Sequence, residues 1–158
     1  MLLTFGTDKI EPVNTSETPN PVYGLHDYTL GGGKGSSAQA ASSFNDMIEK
    51  AFGRPRDAKQ FAEWAQWINY DGYRAIFEGR SEHRRGMLLW MSHSAWPSMV
   101  WQTYDYYFDP NAAYFGCKKA SEPLHIQWNP LRDDIEVVNY HAFDRTGLTA
   151  TASVSYTH

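Results

Sequence analysis

One apolar run, Gly86–Met87–Leu88–Leu89–Trp90–Met91, sits between long amphipathic helical patterns, and it restricts the possible folds more than any other feature. A short continuous apolar run with no polar alternation reads as a strand buried on both faces. Such a strand needs neighbours, because every buried backbone N–H and C=O must find a partner. The flanking residues offer helices instead. The run then stops abruptly in Ser92–His93–Ser94–Ala95–Trp96–Pro97–Ser98 and continues through Trp101 to Tyr104–Asp105–Tyr106–Tyr107. In parallel α/β folds, ligand sites lie beyond the carboxyl ends of the strands. Aromatic faces beside hydrogen-bonding tips suit sugars, whose C–H faces stack on rings while their hydroxyls take polar partners.

Two helices are expected upstream. Ala40, Ala41, Phe44, Met47, Ile48 and Ala51 recur at helical spacing over residues 37–52, and Gly53 with Pro55 ends the pattern. Asp57 and Gln60 fit a capping box that opens a second helix, expected to run to about Gly79 with Phe61, Trp64, Ala65, Ile68, Gly72, Ala75 and Ile76 on one stripe. Trp64, Trp67, Tyr70 and Tyr73 fall at helical spacing and are expected in the core. Residues 92–107 read as a long loop with a short helical turn near Thr103. Asn111–Ala120 reads as a further helix, with Lys118 and Lys119 in its last turn, where cations favour the helix dipole.

After Pro123 the period changes. His125–Trp128, Asp134–Tyr140 and Leu148–Tyr156 alternate and are expected to be strands, with turns at Asn129–Pro130 and Arg145–Thr146–Gly147. Helices followed by strands divide the chain into 1–122 and 123–158, with a border near Glu122–Pro123. About 35 residues of sheet bury too little to stand alone, and an Ig-like sandwich needs about 100. The chain is therefore expected to begin and end in mid-fold.

Composition excludes several classes. The 158 residues carry a net charge of -4, against a partner bound by phosphate neutralisation, so no nucleic acid is expected. No apolar run approaches the roughly 20 residues that cross a bilayer, and no membrane contact is expected. The lone Cys117 excludes an internal disulfide and leaves the compartment open. Gly31–Gly32–Gly33–Lys34–Gly35–Ser36–Ser37 lacks phosphate-loop spacing and follows no strand. The His and Asp residues lack metal-ligand spacing, so neither a metal nor another cofactor is expected.

A set of ordered motifs goes further. They are Gly24–Leu25–His26–Asp27, Asn69–Tyr70–Asp71–Gly72–Tyr73–Arg74–Ala75–Ile76–Phe77–Glu78, Ala95–Trp96–Pro97–Ser98 with Trp101, Tyr104–Asp105–Tyr106–Tyr107, and Tyr114 through Gln127. Together, across roughly Tyr23 to Tyr156, they resemble glycoside hydrolase family 2, in its β-mannosidase and exo-β-glucosaminidase branch. The resemblance implies an α/β fragment: the C-terminal portion of a TIM (β/α)8 barrel followed by the first strands of an Ig-like β-sandwich. On that template Asp57–Gly79 is the helix before the eighth strand, Gly86–Trp90 is the eighth strand, and Asn111–Ser121 is the last barrel helix. Leu124 onwards opens the sandwich.

The implied chemistry is retaining hydrolysis of a terminal β-mannoside, β-glucosaminide or β-galactoside by two carboxylates about 5–5.5 Å apart. The family's two glutamates lie at the ends of the fourth and seventh strands, outside this chain. Glu78 and Glu82 fall at a helix end, on the wrong side of the barrel. The substrate-binding residues implied are Trp90 as the platform under the cleaved sugar, His93, Trp96 and Trp101 around it, and His26 and Asp27 from the loop after the seventh strand. Ser92 and His93 replace a more amide-rich pair of the glucosaminidases, which leaves amino-sugar specificity open. The implied partners are a carbohydrate and the rest of the parent glycosidase. A non-catalytic carbohydrate-binding or structural module is the alternative from a different class.

Overall fold

The structure, a computed structural model, describes residues 46–79, 86–98 and 102–153. Residues 46–52 are helical and stop at Gly53, whose φ of 87° places it in the left-handed region that glycine enters without a Cβ penalty. Helix α1 is Ala58–Glu78. Its cap is Asp57, whose carboxylate accepts from the Gln60 backbone N–H at 2.8 Å. The return bond of the capping box is displaced by one residue: the Gln60 side chain accepts from the Arg56 N–H rather than from that of Asp57. Helix α2 is Ala112–Ala120, capped by Asn111 and carrying Lys118 and Lys119 in its last turn, as its sequence implies.

The two helices meet through small residues. Ala113, Gly116 and Ala120 are the buried positions of α2. A Cβ on Gly116 would collide with the Tyr70 carbonyl oxygen and stand 3.1 Å from the Arg74 backbone nitrogen. Backbone-to-backbone approach of this kind requires glycine. Gln66 ties the same joint by accepting from the Ala112 N–H at 2.8 Å. A small core lies under the other face of α1, where Ile48 and Phe61 are buried and Trp64, Ala65 and Ile68 pack against them. Trp64 stacks on Phe52 with ring centroids 5.4 Å apart. Trp67 departs from the core expectation: it is 57% exposed, turned off the stripe that Phe61 and Trp64 define.

Strands β1 (Leu124–Asn129) and β2 (Asp134–Asn139) form an antiparallel hairpin, in register from Leu124↔Asn139 to Asn129↔Asp134. Asn129 shapes the turn by accepting from the backbone N–H groups of Leu131 and Arg132. At the open end, Tyr140 N–H donates to the Pro123 carbonyl at 2.7 Å. The change from helix to strand thus falls between Ala120 and Leu124, where the sequence pattern changes period.

The hairpin's polar face is turned inward. His125 and Gln127 are buried, while Ile126, Trp128, Ile135 and Val137 are 46 to 51% exposed on the opposite face. The inward face docks on the end of α1. His125 Nε2 lies 2.7 Å from Glu78 Oε1, and Gln127 Nε2 donates to the Glu78 main-chain oxygen at 3.1 Å. Gln127 also reaches Glu136, its cross-strand partner, at 2.9 Å. Glu136 accepts from Asn129 and pairs with Arg132.

Three expectations are corrected. Residues 86–91 form no strand, because no other strand among the described residues lies beside them to complete a ladder. Exposure nevertheless alternates along them with a period of two, Met87 and Leu89 more buried than Leu88 and Trp90. Residues 148–153 are likewise unpaired and exposed, and Val154–Tyr156 lie outside the described residues. The short helical turn expected near Thr103 is absent. Thr103 Oγ1 and N–H both bond the Ser92 carbonyl instead, and the chain turns at 106–107.

Candidate functional site

The segment after Leu89 is built against the stretch that leads into α2. The Ser92 carbonyl accepts from the N–H groups of Thr103 and Tyr104 at 3.1 and 2.9 Å, and His93 and Tyr104 form a parallel bridge. Tyr104 bridges Pro110 on its other side. Asn111 completes the frame: its N–H donates to the Thr103 carbonyl and its side chain donates to the Gln102 carbonyl at 2.7 Å. The residue that caps α2 therefore also fixes the segment beside Ser92.

Trp90 is 79% exposed at the head of this frame, and the peptide that follows it, Trp90–Met91, is cis. Ser94 is fully buried. Trp96, two residues on, is 43% exposed. His93 is engaged. Its ring stacks on Phe108 at 4.2 Å between centroids, and its Nε2 lies 3.2 Å from the Tyr106 carbonyl oxygen. These contacts tie His93 to the 104–110 loop. Trp101, His26 and Asp27 lie outside the described residues.

The sequence marks Tyr104–Asp105–Tyr106–Tyr107 as part of the aromatic segment suited to a sugar, without naming them pocket residues, and does not single out Phe108 in the same loop. Tyr106, Tyr107 and Phe108 are exposed there at 39, 54 and 71%. The available signal was three consecutive aromatics held between two aspartates and a proline, a composition that turn chemistry alone does not call for.

The carboxylates around these residues are committed to structure. Asp105 Oδ1 accepts from the N–H groups of Tyr107 and Asp109 at 2.8 and 3.0 Å. Glu78, 11% exposed, is held by Arg74 and by His125, each at 2.7 Å. Hydrogen bonding to Glu78 is the main reason the Arg74 guanidinium is shifted further upward in pKa. Burial pushes the Cys117 thiol up as well, so it stays protonated and poorly nucleophilic at neutral pH. Burial is also the larger cause of the raised Tyr73 phenol, followed by the proximity of Cys117. Among the described residues no group of three His, Cys, Asp or Glu could hold a metal ion.

Comparison with known proteins decides the family. The chain is 37% identical to an exo-β-D-glucosaminidase of Amycolatopsis orientalis over 118 residues, 70% of this chain. It is 35% identical to a mannosylglycoprotein endo-β-mannosidase of Lilium longiflorum over 127 residues, 78% of this chain. The chain belongs to glycoside hydrolase family 2. It is also similar to the solved structure of the A. orientalis exo-chitosanase CsxA, with a TM-score of 0.61 and 29% identity over 88% of this chain and 16% of that one. A CsxA variant solved in complex with PNP-β-D-glucosamine matches at a TM-score of 0.55 and 38% identity over 61% of this chain and 12% of that one. No family profile matches the chain. The chain spans only 11 to 12% of the length of the two curated relatives.

Proposed function

We propose that this chain serves as the part of a retaining exo-β-glycosidase that walls the sugar pocket, with Trp90 as the platform beneath the sugar being cleaved. On this reading 1–122 is the closing part of a TIM barrel, and 123–158 begins an Ig-like sandwich. The exposure of Trp90 carries the proposal. Among the described residues Trp90 is 79% exposed at the head of a hydrogen-bonded frame, and an indole face suits the C–H face of a pyranoside. His93 acts by holding the neighbouring loop, and Trp96 lines the same end. Trp101, His26 and Asp27 complete the pocket by the family template.

The acid and the nucleophile are assigned outside this chain. Retaining hydrolysis needs two free carboxylates about 5–5.5 Å apart, whereas Glu78, Asp105 and Glu136 each serve local hydrogen bonds. Of the substrates the family offers, β-glucosaminide and β-mannoside are favoured by the relatives' own activities. The outward apolar face of the hairpin is assigned to the remainder of the sandwich. An inward polar face and an outward apolar one reverse the arrangement of a hairpin that covers its own core.

Two measurements test the proposal. The isolated chain is expected to give no turnover on nitrophenyl β-D-glucosaminide or β-D-mannoside, since the acid and the covalent route are both missing. Turnover that disappears when one of its own glutamates is changed to Gln would relocate the active site. Glucosamine is expected to shift the Trp90 indole resonance in an NMR titration, and Trp90→Ala is expected to remove binding at an unchanged unfolding midpoint. A lowered midpoint with binding intact would make Trp90 a packing residue.

A further inference from the structure

The hydrogen bonds beside Trp90 converge on the Ser92 carbonyl and on Asn111. The Ser92 carbonyl takes the Thr103 N–H at 3.1 Å, the Thr103 hydroxyl at 3.1 Å and the Tyr104 N–H at 2.9 Å. A carbonyl oxygen has two lone pairs, so this acceptor is saturated and the segment after Trp90 is pinned. Asn111 holds the other side of the same stretch. Its N–H donates to the Thr103 carbonyl at 3.1 Å, and its side-chain amide donates to the Gln102 carbonyl at 2.7 Å. Gln102 and Thr103 are buried, so solvent is poorly placed to replace a donor lost there.

The Asn111 side chain serves its two partners unequally. Its Oδ1 caps α2 by accepting from the Tyr114 N–H at 3.4 Å, beyond the usual length of about 2.9–3.0 Å. Its Nδ2 reaches Gln102 at 2.7 Å. The amide is therefore oriented by the Gln102 carbonyl, and the helix receives the longer bond. Capping does not require asparagine either, because Asp and Ser cap about as well. Ionised Asp has no donor, and Ser carries a single oxygen on a shorter stem, whereas the amide presents an acceptor and a donor at once. The first turn of α2 is also fastened to α1, where Gln66 accepts from the Ala112 N–H at 2.8 Å.

We infer that Asn111 is a positioning residue for the sugar pocket: its amide locks the Gln102–Thr103 backbone to the start of α2 and, through the Ser92 carbonyl, fixes the segment that carries Trp90 and His93. The inference rests on the assignment of Trp90 to the sugar. Asn111 itself touches no reacting atom on this reading. It transmits the placement of the helix pair to the aromatic platform.

The test is amide exchange and NMR on the 158-residue chain carrying Asn111→Asp or Asn111→Ser. Both variants keep an N-cap. At pH 7 the aspartate sets a carboxylate oxygen against the Gln102 carbonyl, and serine is too short to hold it. In each, protection of the Thr103 and Tyr104 amides is expected to fall about fivefold, the scale of one hydrogen bond. Residues 115–120 should keep their protection, the Trp90 indole resonance should shift, and glucosamine should bind more weakly. Acidification separates a lost donor from general damage. Below about pH 3.9 the aspartate variant regains an O–H, so at pH 3 Thr103, Tyr104 and Trp90 should return toward their unsubstituted values. Asn111→Ser regains no donor and should stay altered, with Asp105 and Asp109 titrating alike in both variants. Protection lost through α2 as much as at Thr103 and Tyr104 would make Asn111 a cap only and overturn the inference. Loosened Thr103 and Tyr104 beside an unmoved Trp90, or identical behaviour of the two variants at pH 3, would overturn it as well. Glucosamine that leaves Trp90 unmoved in the unsubstituted chain would overturn the sugar platform alone, because amide exchange and the sugar-free indole shift still decide whether Asn111 fixes the segment.

Discussion

The helix pair and the hairpin solve packing in opposite ways. Helices α1 and α2 close on each other through small residues, with Gly116 bringing backbone against backbone. The hairpin meets the same helix α1 through polar side chains and turns Ile126, Trp128, Ile135 and Val137 outward. The first joint depends on shape and tolerates no added atom. The second depends on hydrogen-bond partners and would tolerate a change of volume better than a lost acceptor.

Gly116→Ala should give the largest effect. The new methyl meets the Tyr70 carbonyl and the Arg74 backbone, neither of which can move as a side-chain end can. Overpacking costs about 1–3 kcal/mol, and a backbone obstacle places this case at the upper end, so a clear fall in the unfolding midpoint is expected. Gly72→Ala is the internal control: Gly72 is also helical, yet its Cβ would meet nothing within 4 Å. There, helix propensity alone should stabilise by up to about 1 kcal/mol. If the two substitutions shifted the midpoint alike, the close helix contact would not exist in solution.

The polar joint is addressed by Glu78→Gln. Glu78 Oε1 lies 2.7 Å from both Arg74 Nε and His125 Nε2, and the His125 side chain is only 2% exposed. Replacing the carboxylate by an amide of the same size keeps the packing and weakens charge-assisted bonds, each worth about 1.5–3 kcal/mol. A loss of about 2 kcal/mol is expected, smaller than for Gly116→Ala. Hydrogen exchange should show it in β1 and β2 before it shows in α2. Uniform loss of protection across both helices would mean that the hairpin and helices are not separate joints.

The two joints also differ in how legible they were. Helix α1 could be read because Asp57, Gln60 and the Phe61–Trp64–Ala65–Ile68 stripe are local signals, complete within a few turns. Helix α2 was equally plain from Asn111 and its terminal lysines. The two strands followed from alternation, yet alternation does not say which face is covered. His125 and Gln127 lie on the buried face because Glu78, 47 residues or more away in sequence, meets them there. The run at 86–91 was read as a strand from composition, but a strand is a property of a pair, and its partner is not among the described residues. At the site, Trp90 stood out as the end of an apolar run. His93 is expected at the pocket from its place after the apolar run, and its stacking on Phe108 is a contact that the sequence does not reveal. Tyr106 and Tyr107 stand in the aromatic segment that the sequence marks, but their exposure and that of Phe108 are decided by backbone bonds from Asp105, which spacing does not reveal.

The smallest effect sharpens the border between the two joints. Glu122 lies between Ala120 and Leu124, bonded to Lys119 at 2.9 Å and 3.8 Å from His125 Nδ1. Its carboxyl is held below the usual value of 4.5, first by the Lys119 hydrogen bond and then, against a small burial penalty, by the charges of Lys119 and His125. A depressed carboxyl contributes stability that is fully present above its unfolded value and is lost as pH falls through the folded one. The pair is exposed, so solvent screens it and the contribution is slight. Lys119→Met should therefore lower the unfolding midpoint slightly at pH 7. The part of that difference due to Glu122 should vanish as the pH drops below 4.5. Lys119 also sits in the last turn of α2, where its charge favours the helix dipole at any acidic pH. Glu122→Gln separates the two contributions. In that background Lys119→Met should produce the same small change at pH 7 and at pH 3. A pH-dependent difference in the double variant would show that the acid sensitivity of this border does not come from Glu122.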